Sequence, residues 1–247
     1  MAEMKFKFTI QPYQTEAVDS VAGVFAGQPF NDHFTYRRDV EIQRDVTNWM
    51  LSDEELSMGF ANAKVQLDSG QLLENIHRIQ ARNNIKLSNS LKSGGLGVCS
   101  LDVEMETGTG KTYVYIKTMF ELNKLYGWSK FIVVVPSIAI REGVQKSFET
   151  MREHFKAYYG KIIRPFVYNS KKLSDIDNYS QSADINVMII NIQAFNARGK
   201  DARRIRTELD DFGTRRPIDV IQANRPIVIL DEPQKMGGKA TQESLKE

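Results

Sequence analysis

The 247-residue chain is 41% hydrophobic, enough to bury a core in one large domain or two small ones. Its formal net charge of +2 is close to neutral, so composition neither demands nor excludes a nucleic-acid partner. One cysteine, Cys99, excludes an internal disulfide and fits a reducing cytoplasm, and no run of about 18 apolar residues exists to span a membrane.

The first residues, Met1 to Phe8, lack the long apolar stretch of a signal peptide. Pro12 then opens an amphipathic helix over 12–26, with Tyr13, Ala17, Val18, Val21 and Phe25 at helical spacing and Gly27 as the stop. From Asn31 to Phe60 seven acidic residues outnumber three basic ones, which predicts a solvated insertion with short helices. Leu72, Leu73, Ile76 and Ile79 predict a further helix, and Ser93 to Gly97 a flexible link. No internal repeat is visible, and His33, His77 and His154 show no metal-ligand spacing.

From residue 98 the pattern becomes regular. Strands are predicted at 99–105, 130–135, 162–168, 185–190 and 226–230, and helices at 111–126 and 138–155. Several strands are continuous apolar runs, as expected of a parallel sheet covered on both faces. Alternating strands and helices argue for an α/β fold with right-handed crossovers and ligands beyond the carboxyl ends of the strands.

Two segments carry the chemistry. Residues 104–112 read Glu-Met-Glu-Thr-Gly-Thr-Gly-Lys-Thr, a glycine loop between an apolar stretch and a helix. Such a loop turns successive N–H groups toward phosphate oxygens, and the helix that follows adds its dipole. Thr107, Gly108, Thr109, Gly110, Lys111 and Thr112 are the nucleotide-binding candidates, with Lys111 on the β- and γ-phosphates and Thr112 on Mg²⁺. Met105 stands where the full pattern has its first glycine. The second segment is Ile227–Leu230 running into Asp231-Glu232-Pro233-Gln234. A buried strand ending in two carboxylates suits Mg²⁺ at Asp231, opposite Thr112, and a water-activating role for Glu232. Lys111 and Glu232 are the catalytic candidates, and ATP and Mg²⁺ the expected cofactors.

The stretches Val103–Tyr115, Val133–Val144 and Leu230–Gln234 together resemble a superfamily-two helicase, and more closely the Res subunits of Type III restriction-modification enzymes. The resemblance covers about 1–27 and 98–236. It implies a RecA-like P-loop domain, mostly parallel, with three parts: residues 1–27 carry a glutamine motif, 28–97 an insertion that is partly helical, and 98–247 the ATP-binding core. It also implies that Gln14 reads the adenine edge, since an amide both donates and accepts. Pro136, Ser137, Gly143 and Gln193 take positions that would touch a nucleic-acid backbone. The expected partners are double-stranded DNA and a modification (methyltransferase) subunit; the expected location is the cytoplasm.

Residues 198–216 mix seven basic with four acidic side chains, read as a solvated helix laced with ion pairs. The chain closes fifteen residues after Glu232, read as the first motor domain of a longer polypeptide whose second domain completes hydrolysis. Two other readings share the glycine loop: a repair or RNA helicase unrelated to restriction, and a nucleotide-binding regulatory module without turnover. The sequence downstream separates the first, and an ATPase assay with and without DNA the second.

Overall fold

A computed structural model describes residues 8–32, 34–37, 58–93, 97–194, 204–209, 212 and 215–236. The central layer is a four-stranded parallel sheet: β3 (Lys130–Val135), β4 (Ile163–Val167), β5 (Ile185–Asn191) and β6 (Ile227–Leu230), in spatial order β4-β5-β3-β6. Strands β1 (Phe34–Arg37) and β2 (Met58–Ala61) form a separate antiparallel pair. The helices are α1 (Pro12–Gly23), α2 (Ser69–Arg82), α3 (Lys111–Tyr126), α4 (Ile138–Tyr159), α5 (Ser174–Gln181) and α6 (Pro217–Ala223).

The apolar runs explain the layering. Every residue of β3 is buried, and side chains alternate between the two faces. Phe131, Val133 and Val135, with Ile185, Val187 and Ile189 of β5, pack beneath Ile116, Met119 and Phe120 of α3 and Val144, Phe148 and Phe155 of α4. Ile132 and Val134, with Met188 and Ile190, face the other way onto Leu173, Ile176 and Tyr179 at α5 and Val220 and Ile221 of α6. Register sets Val135 opposite Asn191 and Val134 opposite Leu230, so the strands finish close to level.

The first predicted strand needs correction. Residues 99–105 join no strand ladder, and Val103 is 49% exposed. Acids at Asp102, Glu104 and Glu106 hold one side of that stretch in water, whereas a strand inside a two-sided sheet must be apolar on both. Directly after the net-acidic stretch Asn31–Phe60 the chain is buried, at Ala61, Asn62 and Ala63. Asn62 accepts from the Ser129 and Lys130 amides at 2.8 and 2.9 Å and donates to the Lys130 and Arg225 carbonyls at 2.8 and 3.0 Å. It closes the amino end of β3 on the side of β6, whose pairing with β3 begins only at Phe131 opposite Ile227. Residues 38–57, 94–96, 198–203 and 237–247, on which parts of the predicted insertion, link, basic stretch and tail fall, lie outside the described residues.

The predicted helix over 12–26 ends at Gly23 and buries Gln14, Val18 and Ala22, so its inner face is turned from the one expected, leaving Tyr13 47% exposed. The predicted helix over 138–155 continues to Tyr159, capped by left-handed Gly160. Among the described basic residues of 198–216, Arg215 pairs with Asp177 at 3.2 Å and Arg216 with Asp219 at 2.7 Å, both acids lying outside the stretch whose own acids were expected to lace it.

Candidate nucleotide site

The site forms where two segments far apart in sequence meet beyond the carboxyl ends of the sheet. The loop 107–110 leads into α3 through Gly110, held in the left-handed region at φ 89°. A side chain there would be strained, and a Cβ would lie 2.5 Å from Gln14 Nε2. No side chain caps the start of α3, so its first amides keep their donors free of side-chain acceptors. The Thr109 hydroxyl donates to the Glu106 carbonyl at 2.6 Å and closes the loop from within.

Helix α1 holds the loop from outside. Gln14 Nε2 donates to the Thr109 carbonyl at 2.9 Å, and the Tyr13 hydroxyl donates to the same oxygen at 3.1 Å. Two donors on one carbonyl fix the orientation of the Thr109–Gly110 peptide. The part of Tyr13 in this latch was not legible in the sequence, where its ring reads as one more apolar residue of an amphipathic helix.

The acidic pair enters from β6. The Asp231 amide donates to the Val134 carbonyl at 3.0 Å, which ties the end of β6 to β3. Glu232 then takes a left-handed conformation, φ 56° and ψ 54°, unusual for a residue with a side chain, and Pro233 begins a short 3₁₀ turn to Lys235. This turn aims Glu232 across the gap: its Oε1 lies 3.6 Å from Lys111 Nζ, and its Oε2 lies 3.6 Å from Lys235 Nζ and accepts from the Gln234 amide. Lys235 and, more weakly, Lys111 hold the Glu232 carboxyl below its ordinary range. Burial, and then the neighbouring Glu232, push Asp231 upward, against the opposing pull of Lys111, Lys235 and the Tyr115 hydroxyl. A nearby cation would ease a half-buried carboxylate raised in this way, because its charge offsets both causes.

The four residues expected to meet a nucleic-acid backbone gather at the same end of the sheet. Pro136 follows β3, and Ser137 caps α4 by accepting from the Ile140 amide at 3.3 Å. Gly143 is exposed, with open space where a Cβ would stand. Gln193 donates its amide to the Pro136 carbonyl at 3.0 Å, so it braces the turn after β5 against the turn after β3.

A parallel sheet clothed by helices on both faces, with a glycine loop and an acidic pair joined at its carboxyl end, defines a RecA-like α/β domain of the helicase type. The chain belongs to the family described as Type III restriction enzyme, res subunit, whose model matches residues 73–247. It is 30% identical over 261 residues to the Type III restriction-modification enzyme EcoP15I Res subunit of Escherichia coli, across 97% of this chain and 24% of that one. It is 28% identical over 252 residues to the EcoPI Res subunit of Escherichia phage P1, covering 95% and 24%. The StyLTI Res subunit of Salmonella typhimurium is 33% identical over 181 residues, covering 65% and 18%. The chain therefore spans about a quarter of the length of the first two of these relatives. No helix among the described residues is long and apolar enough to cross a membrane.

Proposed function

We propose that this chain is the first motor domain of the ATP-dependent translocase subunit of a Type III restriction endonuclease. It binds Mg-ATP between the glycine loop and Asp231-Glu232, and DNA backbone at the turns after β3 and β5. The observation that carries the proposal is the Lys111–Glu232 pair, 3.6 Å apart across 121 positions of sequence. It supports the reading because it brings together the lysine and the carboxylate that phosphate binding and water activation would need.

The residues present fit the nucleotide and its metal. Gly108 and Gly110 at positive φ, with the free amides at the start of α3, suit a polyphosphate. Thr112 and Asp231 would hold Mg²⁺, whose charge neutralises that developing on the transferred phosphoryl oxygens. Lys111 leaves Glu232 for the phosphates, and that exchange frees Glu232 to orient the attacking water and receive its proton. Gln14, buried beside Thr109, reports adenine recognition to the loop it latches. A second motor domain, supplying an arginine worth ~10³–10⁵ in rate, completes hydrolysis. Double-stranded DNA and a modification (methyltransferase) subunit are the partners of the whole protein, in the cytoplasm.

Binding of a fluorescent ATP analogue tests the proposal. Lys111→Ala should lower affinity at least about tenfold, or 1.4 kcal/mol, with an unchanged melting temperature. Equal affinity in the two proteins would refute it.

A further inference from the structure

Tyr115 is the residue of the site that the proposed mechanism leaves unused. It lies three positions after Thr112 on α3, so its side chain leans back over the turn that carries Thr112. Its ring packs against the core beneath α3 and α4. Its hydroxyl is shut away from water and makes no well-formed hydrogen bond. The polar side chains that act on it are Thr112, one turn back on the same helix, and Asp231, directly after β6.

We infer that Tyr115 is a positioning residue for the divalent cation, its buried hydroxyl relaying a hydrogen bond from Thr112 to Asp231. The inference rests on the proposed function of the site. A threonine hydroxyl that gives a lone pair to a cation must direct its proton elsewhere, and the Tyr115 oxygen is the acceptor within the protein interior. The phenol then has one proton to give, and Asp231 is the carboxylate beside it. The relay turns the Thr112 lone pair and the free Asp231 oxygen toward the same point. Without it, both side chains keep their places and lose their fixed directions. Outer-shell partners of this kind carry about 10–100-fold in metal affinity.

Tyr115→Phe keeps the ring in its packing and deletes the relay. Two measurements on the purified protein test it: affinity for a fluorescent ATP analogue in EDTA, and the Mg²⁺ concentration that half-restores full affinity. The expected result is an unchanged melting temperature and unchanged affinity in EDTA, with the Mg²⁺ midpoint raised about tenfold. Mn²⁺ titration followed by electron paramagnetic resonance should show the same shift without any turnover. A wild-type Mg²⁺ midpoint in Tyr115→Phe overturns the inference. So does a fall in EDTA affinity that tracks a fall in melting temperature, which marks a packing role alone. Lys111→Ala measured alongside separates the two levels. Lost nucleotide affinity there, with an unmoved Tyr115→Phe midpoint, removes the relay and keeps the site. Full affinity there removes the site and the relay together.

Discussion

Glu232 is the residue on which charge, conformation and proposed chemistry converge. Its left-handed backbone stores strain where most residues would relax, and the short turn through Pro233 and the contacts to Lys111, Gln234 and Lys235 hold it there. Glu232→Gln keeps the shape and removes the charge. Nucleotide binding should persist while DNA-stimulated ATPase of the full protein falls about 10²–10⁴-fold; a turnover number within about twofold of wild type would exclude Glu232 as the base. Gly110→Ala makes the opposite prediction, because the damage is steric. The left-handed backbone costs a side chain about 1–2 kcal/mol, and the added methyl meets Gln14 Nε2 at 2.5 Å. Chemical denaturation should show that loss of stability, with nucleotide affinity reduced as Thr109 leaves its latch. The meeting of the glycine loop with the acidic strand end, seen in the Lys111–Glu232 contact, was legible, since both segments were expected beyond the carboxyl end of one parallel sheet. Tyr13 was not legible, because a tyrosine at a helical period reads as core until its hydroxyl is seen to have a destination, here the Thr109 carbonyl.

Among the elements, β3 was the most legible and also holds the least expected side chain. A run of Phe-Ile-Val-Val-Val predicts a strand buried on both faces, and the structure agrees at every residue. Lys130, which precedes that run, is fully buried. Its ammonium donates to the Tyr179 and Ser182 carbonyls at the end of α5 and lies 5.0 Å from the Tyr179 ring centroid. Burial nevertheless lowers its pKa to about 7, against the smaller opposing effect of Asp184. The sign of the consequence follows from proton counting. Between about pH 7 and pH 10 the unfolded chain carries a proton on Lys130 that the folded chain has lost, so folding becomes more favourable as pH rises. Below pH 7 both states are protonated and the dependence flattens. Melting curves from pH 7 to pH 9 should therefore rise more steeply for the wild type than for Lys130→Met, and parallel curves would refute the assignment. The same arithmetic of two faces explains where the strand prediction failed. Residues 99–105 carry apolar side chains at alternate positions only, and alternation marks a half-exposed segment, not one sandwiched between helix layers.

At the scale of the whole molecule the sheet has two ends with different work. The carboxyl end carries the glycine loop, the acidic pair and the turns after β3 and β5. The amino end carries a polar network that no local pattern announces, because its members are scattered through the chain. Besides its bonds to β3, Asn62 donates its own amide to the Asn224 carbonyl at 3.0 Å. Tyr36 shares a 2.7 Å hydrogen bond with Ser180 and donates to Asn224 at 3.3 Å, across Gly59, where a Cβ would strike its ring at 2.5 Å. The β1–β2 pair is thereby fastened to the sheet by groups that a hydropathy profile scores as surface. Asn62→Ala would leave the Ser129 and Lys130 amides buried without their acceptor, a loss of about 3 kcal/mol at 1–3 kcal/mol for each such group. For a domain of this size that is a fall of roughly 6–12 °C in melting temperature. Nucleotide affinity measured below the transition should stay within about twofold of wild type, since rigid strands separate the two ends and a parallel sheet places its ligand beyond the carboxyl end alone. A large loss of affinity in folded Asn62→Ala would mean that the amino-end network sets the geometry of the loop, and that stability and binding in this domain cannot be varied independently.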